Sequence, residues 1–437
     1  MTEVRSFRGV RYNQALVESV ASVICPPYDI ITPEMRKALY ARSEYNFVRL
    51  ESVAVEPEDT AADSRYTRPA NTLSAWLKQG ILKIDDTPAI YLDDHYFKYQ
   101  GEEYRRRGII ASVKLEEWDK KIIRPHEGTF DGPKVERVNL LRALKTDVSP
   151  VFGLYEDVTG DMAAVLSAEA SKEPVIVASY ADGERHNVWA VTDPGAIRRI
   201  YAALADQPLY IADGHHRYES ALIYRDEARA ALGSTTADAA FDYVMMTLVE
   251  FQDPGLLMLP PHRLARNISK EKLKGVMAQL ESIFIIDEIP LDTDGSWQKV
   301  DAFLGEGEVS QDRLVIFGLV PRSFLLLRLR DFGAVVWMMP EAHSELYKRL
   351  VVSIIDHVIL AGLLDIDSSQ EETVGYNYDS RDTVKKVLDN EYEMAILLSP
   401  IRAEVIRDIA DIGDRMPRKS TYFYPKLPSG LVCYRLE

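Results

Sequence analysis

Cysteine is almost missing from this chain: 437 residues contain two, Cys25 and Cys433. They lie near opposite ends, and the sequence holds no Cys-x₂-Cys or His-x₃-His pair. The usual ligand spacings of a structural zinc site are therefore absent. So few cysteines fit a reduced, cytoplasmic protein better than a disulfide framework. Long apolar runs are missing too. No 18-residue apolar stretch exists, so no membrane span is expected. The richest apolar segment, Leu350 to Leu364, is interrupted by Asp356 and His357 and reads as a buried helix. The opening residues, Met1 to Arg8, lack the apolar core of a secretory signal. Positive charge is in deficit: 52 Lys and Arg stand against 68 Asp and Glu, a formal net charge of −16. Binding to nucleic acid or an anionic membrane needs a large basic face, so neither is expected as a partner. Repeats, low-complexity tracts and proline- or glycine-rich linkers are also lacking.

What is present is the composition of a globular protein, 46% hydrophobic and 27% charged. The length predicts two or three domains. The pattern divides into an N-terminal α+β domain over 1–105, a core over 106–265 and a C-terminal α+β domain over 266–437. Helical character runs over Arg36–Ala41 and Ala70–Gln79. Ala89–Leu92 and Tyr96–Tyr99 read as strands, with Asp93, Asp94 and His95 as a turn between them. Gly108–Val113, Val151–Tyr155 and Asn187–Thr192 are further strands, and Phe241–Phe251 reads as a central one. Pro194 stands where a first helical turn tolerates proline. Leu314–Val320 and Ser323–Leu329 flank a Pro321-Arg322 turn. Met394–Leu398 is a strand and Arg402–Asp411 a helix. The fold class is α/β (α+β), with mixed sheets and flanking helices.

The most informative segment is Leu209–Leu222. An apolar run ends in Asp213-Gly214, and His215, His216 and Arg217 follow at the start of a helical pattern. Free N–H groups and partial positive charge at a helix N-terminus attract phosphate. Gly214 lets the backbone approach a ligand closely. Arg217 could grip phosphate with paired hydrogen bonds. Asp213 could cap the helix or hold Mg²⁺. Adjacent His215 and His216 diverge by about 100° on a helix, which suits a shared zinc ion poorly.

Four other clusters carry candidate chemistry. In Ile123–Thr129, His126, Glu127 and Thr129 sit on a proline-flanked loop. Glu127 could accept the proton of an attacking hydroxyl, and its plain alternative is a solvated glutamate in a turn. Pro417–Lys426 gathers cations and hydroxyls. Lys419 and Ser420 could reach phosphate oxygens, against an aromatic edge strand with solvated lysines. Asp29, Asn46 and Arg49 could contact a polar substrate, against a structural turn and strand. His262 and Arg263 could add a cation pair, against a surface turn.

Several segments together resemble the bacterial and archaeal family called domain of unknown function 1015. They are Pro26–Asp29, Arg124–Thr129, Ser149–Phe152, Asp213–Glu219, Pro261–Arg263 and Lys419–Lys426. The Asp-Gly-His-His-Arg turn also resembles the nucleotide-phosphate motif of the ParB/sulfiredoxin-like fold, in its free-serine-kinase version. That resemblance implies a central ParB/sulfiredoxin-like nucleotide-binding core. It assigns His126-Glu127 to the His-Glu pair whose glutamate is the catalytic base, and Asp213–Arg217 to the phosphate loop. The implied function is a phosphotransferase moving a phosphoryl group from ATP or ADP, with Mg²⁺, to a small hydroxylated metabolite, free L-serine first. Glu127, Asp213 and His216 would be catalytic. Gly214, His215, Arg217, His126, Thr129, Lys419 and Ser420 would bind nucleotide or phosphate, and Asp29, Asn46, Arg49, His262 and Arg263 substrate. A ParB-like nucleotide-binding regulator and a metal-dependent hydrolase are the rival readings. A homo-oligomer is left open.

Overall fold

The computed structural model describes residues 1–60, 62–129, 131–232, 238–305, 313–368, 370 and 372–437. The chain forms two compact units. One comprises Met1–Pro125, Thr129–Leu257 and Pro425–Glu437; the other comprises His126–Gly128 and Met258–Tyr424. The class is mixed α/β, with several sheets flanked by helices.

The apolar run near residue 245 lies inside a nine-stranded sheet of the first unit, as Tyr243–Glu250. It runs parallel to Val151–Tyr155 on one side and antiparallel to Glu102–Lys114 on the other. Beyond Val151–Tyr155 comes Leu209–Asp213, antiparallel to it, and then the edge strand Ile123–Pro125, parallel to Leu209–Asp213. Beyond Glu102–Lys114 come Ile90–Tyr99, Arg185–Val191 and Ile176–Ser179, all antiparallel. Val4–Arg5 also pairs with Glu102–Lys114. Side chains of a strand point alternately to opposite faces. Tyr243 and Met245 accordingly pack in one core with Phe47 and Trp76, while Val244, Met246 and Leu248 pack in another with Ile200, Leu204 and Tyr218. Both faces are covered, which explains why this strand is apolar at nearly every position.

The expected turn at Asp93-Asp94-His95 is instead the middle of one continuous strand, Ile90–Tyr99. These polar residues are buried because neighbouring strands satisfy them. Asp94 pairs with Arg107 at 2.6 Å, Asp93 meets His186 at 3.1 Å, and His95 lies between Glu184 and Arg106. Pro194 does open a helix, Pro194–Ala205, where the side chain of Asp193 accepts from the Ala196 N–H at 2.7 Å.

The second unit holds a six-stranded antiparallel sheet. Its order is Phe284–Pro290, Ser323–Leu329, Arg313–Phe317, Met394–Leu397, His262–Ala265 and Val374–Asn377. The Pro321-Arg322 turn closes a hairpin, with Arg322 in the left-handed region at φ 53°. Within Leu350–Leu364, Ile354–Leu363 winds as a π-helix. Among the described residues, no helix is long and apolar enough to cross a membrane.

Candidate functional site

The strand–glycine–helix reading holds residue for residue. Leu209–Asp213 is a strand, Gly214 turns at φ +91°, and His215–Leu232 is an 18-residue helix. A side chain at Gly214 would be strained by that φ, and its Cβ would lie 2.8 Å from Arg217 Nε. No acidic residue occupies the first helical turn itself. His215 is buried and His216 half-buried.

The Asp213 carboxylate bridges two cations. Its Oδ2 accepts from Arg217 Nη2 at 2.6 Å and its Oδ1 from Lys426 Nζ at 2.7 Å. Burial opposes ionisation, but Lys426 and Arg217 outweigh it and hold the carboxyl well below the usual range. Both oxygens are thus occupied, and Mg²⁺ at Asp213 would compete with Lys426 for Oδ1.

Arg217 is buried beneath the turn. Besides Asp213, it donates through Nη1 to Ser149 Oγ at 3.2 Å and to the Pro150 carbonyl. Ser429 Oγ donates to Ser149 Oγ at 3.0 Å. Burial disfavours the charge of Arg217, yet Asp213, Asp29, Tyr28 and Glu51 together keep it charged. This guanidinium organises the turn from below. Asp29 is exposed at the tip of the short 3₁₀ turn Tyr28–Ile30. Arg137 lies over the Tyr28 ring at 3.9 Å, and the Tyr28 N–H donates to Glu51 at 3.1 Å.

Of the predicted substrate contacts in this unit, Asn46 serves the scaffold and Arg49 lines a cavity. Asn46 is fully buried; its Nδ2 donates to the Ser22 and Ile24 carbonyls and its Oδ1 accepts from the Val48 N–H. Arg49 lies over the Tyr40 ring at 4.3 Å and lines a cavity of about 700 Å³ with Arg36 and Arg68. Thr129 donates to Glu219 of the His215–Leu232 helix at 2.5 Å.

The His126-Glu127 pair belongs to the second unit. His126 is fully buried, with Nε2 3.0 Å from Thr421 Oγ1. Glu127 is half-buried, and its Oε1 accepts from the backbone N–H of Lys419 at 3.1 Å. Its carbonyl accepts from Arg415 at 3.0 Å. Lys419 therefore meets Glu127 through its main chain, in the left-handed region at φ 52°. Ser420 is buried and donates to the Pro417 carbonyl at 2.5 Å, fixing the turn. His262 and Arg263 are buried as well. His262 Nδ1 accepts from the Leu398 N–H at 3.3 Å, and burial lowers its pKa to about 4. Arg263 donates to the Pro261 carbonyl at 2.6 Å and faces Asp356 at 3.5 Å.

Ile211 pairs with Pro125 in parallel strands, so the carboxyl ends of Leu209–Asp213 and Ile123–Pro125 lie on the same side of the sheet. In open α/β sheets, ligands bind beyond the carboxyl ends of strands. The residues that sequence reasoning passed over are Lys426, Ser149 and Ser429. The cation-rich 417–426 segment was the signal that could have found Lys426, but Lys419 was the lysine singled out there, and only tertiary contacts separate the two.

The family model described as Protein of unknown function (DUF1015) matches residues 4–353, and the chain belongs to that family. No curated protein matches it. Among solved structures, a conserved hypothetical protein from Pyrococcus furiosus is 13% identical, with a TM-score of 0.33, covering 74% of this chain and 93% of that one. A free serine kinase in complex with AMP is 12% identical, with a TM-score of 0.33, covering 72% and 86%. A mutant free serine kinase in complex with ADP is 10% identical, with a TM-score of 0.34, covering 72% and 87%.

Proposed function

We propose that this protein is a small-molecule kinase that moves a phosphoryl group from ATP or ADP to a hydroxyl acceptor, with free L-serine as the first acceptor to test. The observation that carries the proposal is the turn at Asp213–Arg217. An 18-residue helix opens directly behind a positive-φ glycine, without an acidic residue in its first turn, and Lys426 stands beside it on Asp213. These groups suit a phosphate: backbone N–H donors, a helix N-terminus and a fixed ammonium. The donor set offers no unengaged carboxylate oxygen at Asp213, so Mg²⁺ is assigned no step here.

In the proposed reaction, the acceptor oxygen attacks the terminal phosphorus and forms a new P–O bond. The bond to the leaving nucleotide oxygen breaks, releasing ADP from ATP or AMP from ADP. The hydroxyl proton passes to Glu127, the assigned base. Lys426, His216 and the helix N-terminus balance negative charge on the phosphoryl oxygens. Arg217 acts as a positioning residue through its bonds to Asp213, Ser149 and Pro150.

The test is product formation by the purified full chain given ATP or ADP and a panel of hydroxy-amino acids. Glu127→Gln should lower kcat by about 10²–10⁴-fold, the range of general-base catalysis, with little change in nucleotide affinity. Lys426→Ala should mainly weaken nucleotide binding. Nucleotide binding without consumption of either nucleotide would replace the kinase by a nucleotide-responsive regulator. Wild-type turnover in Glu127→Gln would remove the base assignment.

A further inference from the structure

Away from the 213–217 turn, the large sheet places three buried groups in one row. Arg106 pairs in register with His95, and His95 pairs with His186. The two imidazoles stack with centroids 3.9 Å apart. His186 Nδ1 lies 3.1 Å from both oxygens of Asp93. A carboxylate only accepts, so His186 donates there and its lone pair is left on Nε2. That nitrogen is fully buried and has no hydrogen-bond partner among the described residues. A buried polar atom left so is costly and calls for an explanation. The nearest carboxylate is that of Glu184, whose Oε1 is 3.9 Å from His186 Nε2 and 2.8 Å from His95 Nε2. One ligand atom from each of His95, Glu184 and His186 lies within 4.8 Å of the other two. The Glu184 side chain is 32% exposed, which gives an ion a route from solvent.

We propose that His95, Glu184 and His186 form a binding site for one divalent transition-metal ion of the zinc class. Two imidazoles and a carboxylate are a known ligand set for zinc, with water completing the tetrahedron. Asp93 takes the supporting role, fixing the ring of a ligating histidine through its far N–H. Donor atoms around tetrahedral zinc lie about 3.3 Å apart given bonds of about 2.0–2.1 Å. The 2.8 and 3.9 Å separations bracket that value. The imidazole planes are 21° apart. The ion replaces the proton between His95 Nε2 and Glu184, and that proton leaves to solvent. Arg106 Nη2, 3.1 Å from His95 Nδ1, offsets the charge of the deprotonated ring.

The experiment strips the full chain with a chelator, dialyses it against Zn²⁺ near neutral pH, and counts bound metal by mass spectrometry. Co²⁺ serves as a coloured probe of geometry. The wild type and His216→Ala should each retain one zinc per chain with a tetrahedral cobalt spectrum. Glu184→Gln and His186→Ala should lose it, and Asp93→Asn should weaken it about 10–100-fold, as loss of an outer-shell partner does. Circular dichroism checks that each variant is folded. Should His186→Ala unfold, Glu184→Gln decides, because its side chain reaches the surface. A wild type without zinc, full retention by Glu184→Gln, or loss in His216→Ala would overturn the site.

Discussion

Gly214 shows what one residue contributes to the turn. Its φ of +91° is open to glycine and strained for any other residue, and Arg217 fills the space a Cβ would need. Gly214→Ala should cost about 1–3 kcal/mol of backbone strain, read as a lower urea midpoint, and should weaken nucleotide binding together with stability. Asp147 is a second telling residue. It is buried, its Oδ2 accepts from the Met245 N–H at 2.9 Å, and burial raises its pKa to about 7 against the pull of Met245 and Arg217. An unfolded aspartate titrates near pH 4. Between about pH 4 and about pH 7, the folded chain therefore holds a proton that the unfolded chain has released. Its contribution to stability falls as pH rises through that window and is level above it. Asp147→Asn keeps the acceptor for Met245 and should flatten this part of the stability–pH curve, measured by urea unfolding at a series of pH values.

At the scale of elements, the strand–turn–helix at 209–232 was legible because every local signal agreed: an apolar run, Asp-Gly, then a long helical pattern. The helix at Pro194 was legible for the same reason, and its cap is a direct test. Asp193→Ala removes the acceptor for the Ala196 N–H and should cost about 0.5–2 kcal/mol in chemical denaturation. Ile90–Tyr99 shows where local signals mislead. Asp-Asp-His in sequence reads as a turn, but Arg107, His186, Glu184 and Arg106 on neighbouring segments satisfy those side chains and keep the strand unbroken. Likewise, Asn46 and Ser420 have the chemistry of ligand contacts, and their hydrogen bonds go to nearby backbone carbonyls and N–H groups. Residue type cannot distinguish a polar group aimed at a ligand from one aimed at its own main chain.

At the scale of the whole molecule, the chain ends are built into one unit. Residues 425–437 return to the first unit, where the Val10 N–H donates to Cys433 O at 2.9 Å and the Cys25 N–H to Ser429 O at 3.2 Å. Both cysteines are buried free thiols, and burial pushes both pKa values up. Each should resist a thiol reagent in the native protein and react once it is unfolded, giving two reactive thiols per chain in denaturant. Removing residues 425–437 takes away Lys426, Ser429 and Cys433 together, so the truncated chain should expose Cys25 to the reagent without denaturant.

By itself, the sequence determined the mixed α/β class, the 209–232 turn and its helix, and the family motifs. These depend on local periodicity, on glycine and proline geometry, and on short spacings. Tertiary structure alone decided how the cations are used. It committed Arg217 to the floor of the turn, set Lys426 on Asp213 across 213 residues of sequence, and aligned Arg106, His95 and His186 on three strands. The physical reason is that a buried charge is stabilised by whichever partner the fold brings within about 3 Å, and that partner is seldom a neighbour in sequence.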